Sequence, residues 1–172
     1  RAAPDNVRLA LAISAPRPVI TPFTLRFVID GTGARFDSCS ADTEEARERI
    51  LRAAGKAGIQ SKADCVVGMG VPSPQWARAA ELAIAAVADL GGGTVTFSDA
   101  DVALLAPEGT AQSLFDDVAG KLEADLPEVF ALTATLPPPP DAAQPAAPEF
   151  VATLSPEGQV LIRGRVGSEN SR

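Results

Sequence analysis

The chain predicts an α+β fold built from one hairpin-helix-strand cassette used more than once, and three observations carry that reading. First, Ala34, Phe36, Ser38, Asp42, Ala46, Ile50 and Ala54 recur as Val102, Leu104, Ala106, Thr110, Leu114, Val118 and Leu122, at a constant offset of 68 (102 − 34 and 122 − 54). A third start, Val160, Ile162, Gly164 and Ser168, lies 58 further on (160 − 102). Second, each full copy passes without a gap from a two-residue strand alternation, through a capping residue, into a helical apolar stripe. Third, proline-rich breaks at residues 16–22 and 137–148 separate the copies from their flanks. Small modules repeated in series are used mostly to bind or to scaffold.

The elements follow in order. In residues 7–15, Leu9, Leu11 and Ile13 share a strand face, before Pro16, Pro18 and Pro22 interrupt it. Phe23, Leu25 and Phe27 alternate as the next strand. Asp30-Gly31-Thr32-Gly33 turns the chain, and residues 34–40 return as the second arm of a hairpin. Asp42 is placed to cap a helix with Glu45 in capping-box spacing; Ala46, Ile50, Ala53, Ala54 and Ala57 form its stripe and Gly58 ends it. Residues 64–71 read as a third strand. Ser73-Pro74 starts a helix carrying Trp76, Ala80, Leu82, Ala83, Ile84, Val87 and Leu90, stopped by Gly91-Gly92-Gly93. Residues 94–98 and 101–106 form another hairpin. Thr110 caps a helix with Leu114, Phe115, Val118, Leu122 and Leu126 on one side, and residues 129–136 form its closing strand. The expected organisation is a last strand of a preceding module at 1–15, a linker at 16–22, modules at 23–72 and 73–136, a Pro/Ala-rich linker at 137–148, and the start of a further module at 149–172. Each module is expected to be a small mixed sheet with helices on one face.

Composition narrows the function. The 172 residues carry 15 basic and 22 acidic side chains, a net charge of −7. That opposes nucleic acid and anionic membrane surfaces as non-specific partners. The apolar stretch at 76–90 is interrupted by Arg78, Glu81 and Asp89 and is too short to span a bilayer. No histidine or tyrosine is present, which removes Ser-His-Asp and Cys-His catalysis and most zinc sites. No cofactor or metal is expected. The two cysteines, Cys39 and Cys65, are either a disulfide of an oxidising compartment or two separate buried thiols. Cys65 alternates in phase with Val67 and Met69, while Cys39 is out of phase with Phe36 and Ser38. The two therefore lie on opposite faces unless a bulge near Cys39 turns it.

The hairpin Gly158-Gln159-Val160-Leu161-Ile162-Arg163-Gly164-Arg165-Val166, followed by a cap, resembles the BON domain. With the segments Pro72-Ser73-Pro74-Gln75-Trp76 and Gly91-Gly92-Gly93-Thr94-Val95-Thr96-Phe97-Ser98-Asp99 and the proline-rich tethers, the chain is similar to the tandem BON region of OmpA-family outer-membrane and periplasmic proteins of the alphaproteobacterial type. The resemblance implies αββαβ modules, matched at residues 74–136, and a place in the periplasm, associated with the outer membrane of a Gram-negative cell. At the second glycine position the earlier copies carry Ser38 and Ala106. The Asn-x-x-Leu-Ser-x-x-Arg-Ala motif of OmpA-like peptidoglycan binding is absent, so peptidoglycan contact would need a domain outside this sequence.

Asp99 and Asp101 could bind a cation from one strand face but fit a solvated hairpin turn better. Glu44, Glu45, Glu48, Asp116 and Asp117 suit helix starts and wet faces. The triple glycine lacks a following Lys-Ser/Thr and enters a strand, so it reads as a helix stop. Trp76, Arg163 and Arg165 are the candidates for lipid or partner contact; core packing for Trp76 and solubility for the arginines are the competing readings. The expected function is a non-catalytic periplasmic scaffold that links envelope proteins. The alternative is a phospholipid-surface module. Strand edges at 149–166 and the strand at 7–15 are also expected to promote self-association.

Overall fold

Two hairpins lie back to back at the centre of the protein. The computed structural model describes residues 16–60, 63–138, 150–154 and 160–164. The first hairpin is β1 (Thr24–Asp30) and β2 (Gly33–Ala41), and the second is β4 (Gly93–Ser98) and β5 (Asp101–Leu105). Between them run α1 (Glu44–Lys56), the short β3 (Val66–Val67) and α2 (Trp76–Asp89); α3 (Gln112–Asp125) and β6 (Ala131–Thr135) follow β5. Each hairpin sends its second strand through a helix into a parallel neighbour: β2 pairs with β3, and β5 with β6. The first strands, β1 and β4, pair with each other antiparallel. One mixed six-stranded sheet results, in the order β3-β2-β1-β4-β5-β6.

The offset of 68 is built into this sheet. The two hairpins place their two-residue turns 68 apart, at 31–32 and 99–100, and α1 and α3 begin 68 apart, at Glu44 and Gln112. In the β1–β4 ladder Phe27 lies opposite Val95. Val95 is also the residue 68 positions after Phe27, so an internal pseudo-twofold axis passes through this pair. The repeats expected at 23–72 and 73–136 as modules with a sheet each therefore contribute half a sheet each. Their boundary falls inside one compact unit, Arg1–Pro137. The physical reason is burial: β1 and β4 are apolar on one face and need a neighbour on both edges, and each supplies it to the other. Within the unit, residues 76–135 do run α-β-β-α-β.

Inward residues of every central strand join the helices in one core. Leu25, Phe27, Val95, Phe97, Val102 and Leu104 pack with Ile50, Ile84, Val87, Phe115 and Leu122. Alanines at 77, 79, 80, 83 and 86 make up most of the buried side of α2, and small side chains let a helix lie close to what it covers. The opposite face of the sheet carries Arg26, Arg35, Thr94, Thr96, Ala103 and Leu105, and no described helix covers it.

Helix starts differ from expectation by one or two residues. Thr43, not Asp42, caps α1, its hydroxyl accepting the Ala46 N–H at 3.1 Å. Ser73 organises a turn just before α2, accepting the Gln75 N–H, and the helix begins at Trp76. Thr110 donates its hydroxyl to the Pro107 carbonyl, and α3 begins two residues later. The strand expected over 64–71 shortens to β3, because at Gly68–Gly70 the chain turns to bond residues 18–20. The Ile20 N–H donates to the Met69 carbonyl and the Met69 N–H to the Pro18 carbonyl, both at 2.8 Å. A side chain at Gly68 would collide with Ile20 and the Pro18 carbonyl.

The second unit, Pro138–Arg172, contains a hairpin of β7 (Phe150–Leu154) and β8 (Val160–Gly164). Residues 1–15, including the expected strand at 7–15, lie outside the described residues, as does most of the 137–148 linker.

Candidate functional site

Trp76 is fully buried at the first position of α2. Its indole N–H donates to the Ser40 carbonyl at 2.8 Å. Phe23 meets it edge-on at 4.9 Å and Phe97 at 5.2 Å, with Phe130 at 6.2 Å. These three rings come from the lead into β1, from β4 and from the lead into β6, so one side chain draws both halves of the sheet together. The reading of Trp76 as a lipid- or partner-contacting residue is corrected here: every face of the ring and its one donor are used inside the core.

Cys39 and Cys65 form a disulfide, with Cα atoms 4.5 Å apart. The phase problem is solved by a bulge. Arg26 pairs with Ser38, but Phe27 pairs with Phe36, so Asp37 is an extra residue in β2. Phe36 and Cys39 thereby point to the same face of the sheet as their cross-strand partners Phe27 and Leu25. The bond ties β2 to the segment entering β3, and Asp64 beside it accepts both the Cys65 N–H and the Arg47 guanidinium, the latter at 2.7 and 2.9 Å.

A groove of about 470 Å³ lies between α1 and α2. Ala53, Ala57, Ala85 and Ala88 line it, with Arg49, Arg52 and Lys56 on α1 and Glu81 and Asp89 on α2. Arg49 and Glu81 close one part of it through two bonds of 3.0 and 2.7 Å. The hydrogen bond that Arg49 donates to Glu81 raises the Arg49 pKa, so the guanidinium is firmly charged. The groove offers both signs of charge and an alanine lining. Sequence reasoning missed it, because Arg49 and Glu81 lie 32 positions apart and only the packing of α1 on α2 brings them together.

A second polar array lies on the open sheet face. Arg35 bonds Asp30 at 2.7 Å and Asp37 at 3.2 Å, and Arg26 reaches Asp37 at 3.2 Å. The Asp30 carboxyl is lowered from 3.8 to about 2, first by the Thr32 hydroxyl and then by Arg35 and the Thr32 N–H. These groups are exposed and paired with one another, so each pair adds little to stability.

The remaining candidates have structural employment or lie beyond description. Asp99 adopts φ 52° in its turn, accepts the Phe23 N–H at 2.8 Å, and donates its own N–H back to the Phe23 carbonyl. It thus locks the entry to β1, while Asp101 is exposed at the start of β5. Gly91 and Gly93, at φ 75° and 106°, end α2 and open β4; a side chain at Gly93 would strike the Leu105 carbonyl. Glu44 pairs with Arg47, and Asp116 accepts from Gln112. Arg163 lies on β8, and Arg165 lies outside the described residues. Among the described residues, no three His, Cys, Asp or Glu side chains are grouped to hold a metal, and no helix is long and apolar enough to cross a membrane.

No family model, curated protein or solved structure matches this chain. Its own geometry is therefore the basis for assigning a role.

Proposed function

We propose that the chain is a non-catalytic scaffold of the cell envelope, a tandem BON-like region of an OmpA-family protein, working in the oxidising space outside the cytoplasm. One observation carries the reading: a duplicated, disulfide-tied sheet is entered at one edge and left at the other. Residues 18–20 bond beside β3, and β6 leads into the proline-rich 137–148 segment. The outermost of six strands at about 4.8 Å spacing lie roughly 24 Å apart, which is the geometry of a spacer. The αββαβ order of residues 76–135 supports the BON-like assignment. The disulfide supports the compartment, since such bonds persist mainly where thiols are not kept reduced. Absence of histidine from the sequence supports a non-catalytic role.

Fractionation of the source cells tests the compartment. The protein is expected with the periplasmic and outer-membrane material, with Cys39 and Cys65 oxidised; a cytosolic protein with free thiols overturns the proposal. The alternative, a phospholipid-surface module, loses its aromatic anchor with Trp76 inside and rests on Arg163 and Arg165 alone. Flotation with anionic vesicles at physiological salt is expected to leave the protein at the bottom of the gradient.

A further inference from the structure

The pairing rule of the large sheet has a third candidate strand to act on. In both full copies of the cassette the hairpin's two outer edges have different partners. The second strand (β2, β5) takes the strand that follows its own helix, in parallel. The first strand (β1, β4) takes the first strand of another copy, antiparallel. The β7–β8 hairpin has a longer connection, five residues between Leu154 and Val160 against two in the full copies, so its equivalent positions are set by cross-strand pairing. Leu104, on β5, pairs with Val95, and Phe36, on β2, pairs with Phe27. The residue corresponding to Leu104 in the third copy is Ile162, at the offset of 58, and Ile162 pairs with Ala152. Phe27, Val95 and Ala152 are therefore equivalent, and the first two face each other on the pseudo-twofold axis. Among the described residues β7 pairs with β8 alone. A lone two-stranded hairpin is at best marginally stable.

We propose that β7 pairs antiparallel with β7 of a second copy of this chain, about a true twofold axis at Ala152. The result is a four-stranded sheet in the order β8-β7-β7-β8, in which Phe150 lies opposite the partner's Leu154 and Ala152 opposite its own counterpart. The dimer contact inside the second unit reproduces between chains the contact that β1 and β4 make within one. This inference rests on strand register and not on the scaffold reading.

Light scattering of the 172-residue chain over a concentration series tests it. A dimer is expected, tightening as salt rises, because each copy carries a net charge of −7 and screening relieves the repulsion. Ala152→Asp and Ala152→Lys, each alone, place like charges face to face and are expected to weaken the dimer tenfold or more. Mixing the two variants is expected to restore it. Near-ultraviolet dichroism of the buried Trp76 reports that the first unit stays folded throughout. Ala152→Cys is expected to give a covalent dimer on oxidation. A wild-type chain that stays monomeric at millimolar concentration, a dimer indifferent to both charged variants, or variants that fail to recombine would each overturn the proposal.

Discussion

Asp30 shows how a single side chain on the open sheet face responds to its surroundings. Its folded-state pKa, about 2, lies below the ordinary 3.8. A depressed carboxyl contributes stability that is present above the unfolded value and lost as pH falls from near 4 toward 2. Asp30→Asn is expected to flatten the stability profile across that window without changing it at pH 7 to 8 by more than the loss of a surface interaction, as read by urea melts at each pH. Trp76 is the opposite case, a residue that works by being inside. Trp76→Ala is expected to cost about 3–5 kcal/mol, visible as a drop in the urea midpoint. Trp76→Phe, which keeps a ring but loses the bond to Ser40, is expected to cost less. Core packing for Trp76 was legible in the sequence as part of a helical stripe. Its depth was not, because that depends on Phe23, Phe97 and Phe130 arriving from three distant places in the chain.

Within elements, alternation located the strands well, and turn chemistry located the hairpins. Single-residue features escaped. The α1 cap fell to Thr43 because its side chain, not that of Asp42, is in reach of the Ala46 N–H. The bulge at Asp37 has no composition signal; its only trace was the conflict in phase between Cys39 and Phe36. Deleting Asp37 is expected to restore a regular ladder while keeping Cys39 opposite Leu25 and the disulfide intact, which mass spectrometry of the unreduced protein would show. Loss of the disulfide itself, by Cys39→Ser with Cys65→Ser, is expected to lower stability by about 3 kcal/mol for a separation of 26 residues.

For the whole molecule, the duplication was readable because it is local and ungapped, whereas the joining of the halves was not. Antiparallel pairing of β1 with β4 links residues about 70 apart, and nothing in either strand names its partner. Since Phe27 and Val95 meet at the centre of a shared core, residues 23–72 and 73–136 expressed as separate pieces are each expected to lack cooperative melting; recovery of a sharp melt on mixing them would reflect that shared core. The edges of the sheet then differ under load. At the β3 side the chain is fastened by backbone bonds to residues 18–20 and by a covalent strap across to β2. At the β6 side a single five-residue ladder holds the last strand. A molecule stretched between residues 16 and 138 should therefore yield first at its two margins, at the backbone bonds of residues 18–20 and at β6, in small early steps that a reducing agent leaves unaltered, and only afterwards give up its interior. The weak margins act as fuses, letting the molecule lengthen while the rest of the sheet keeps its shape.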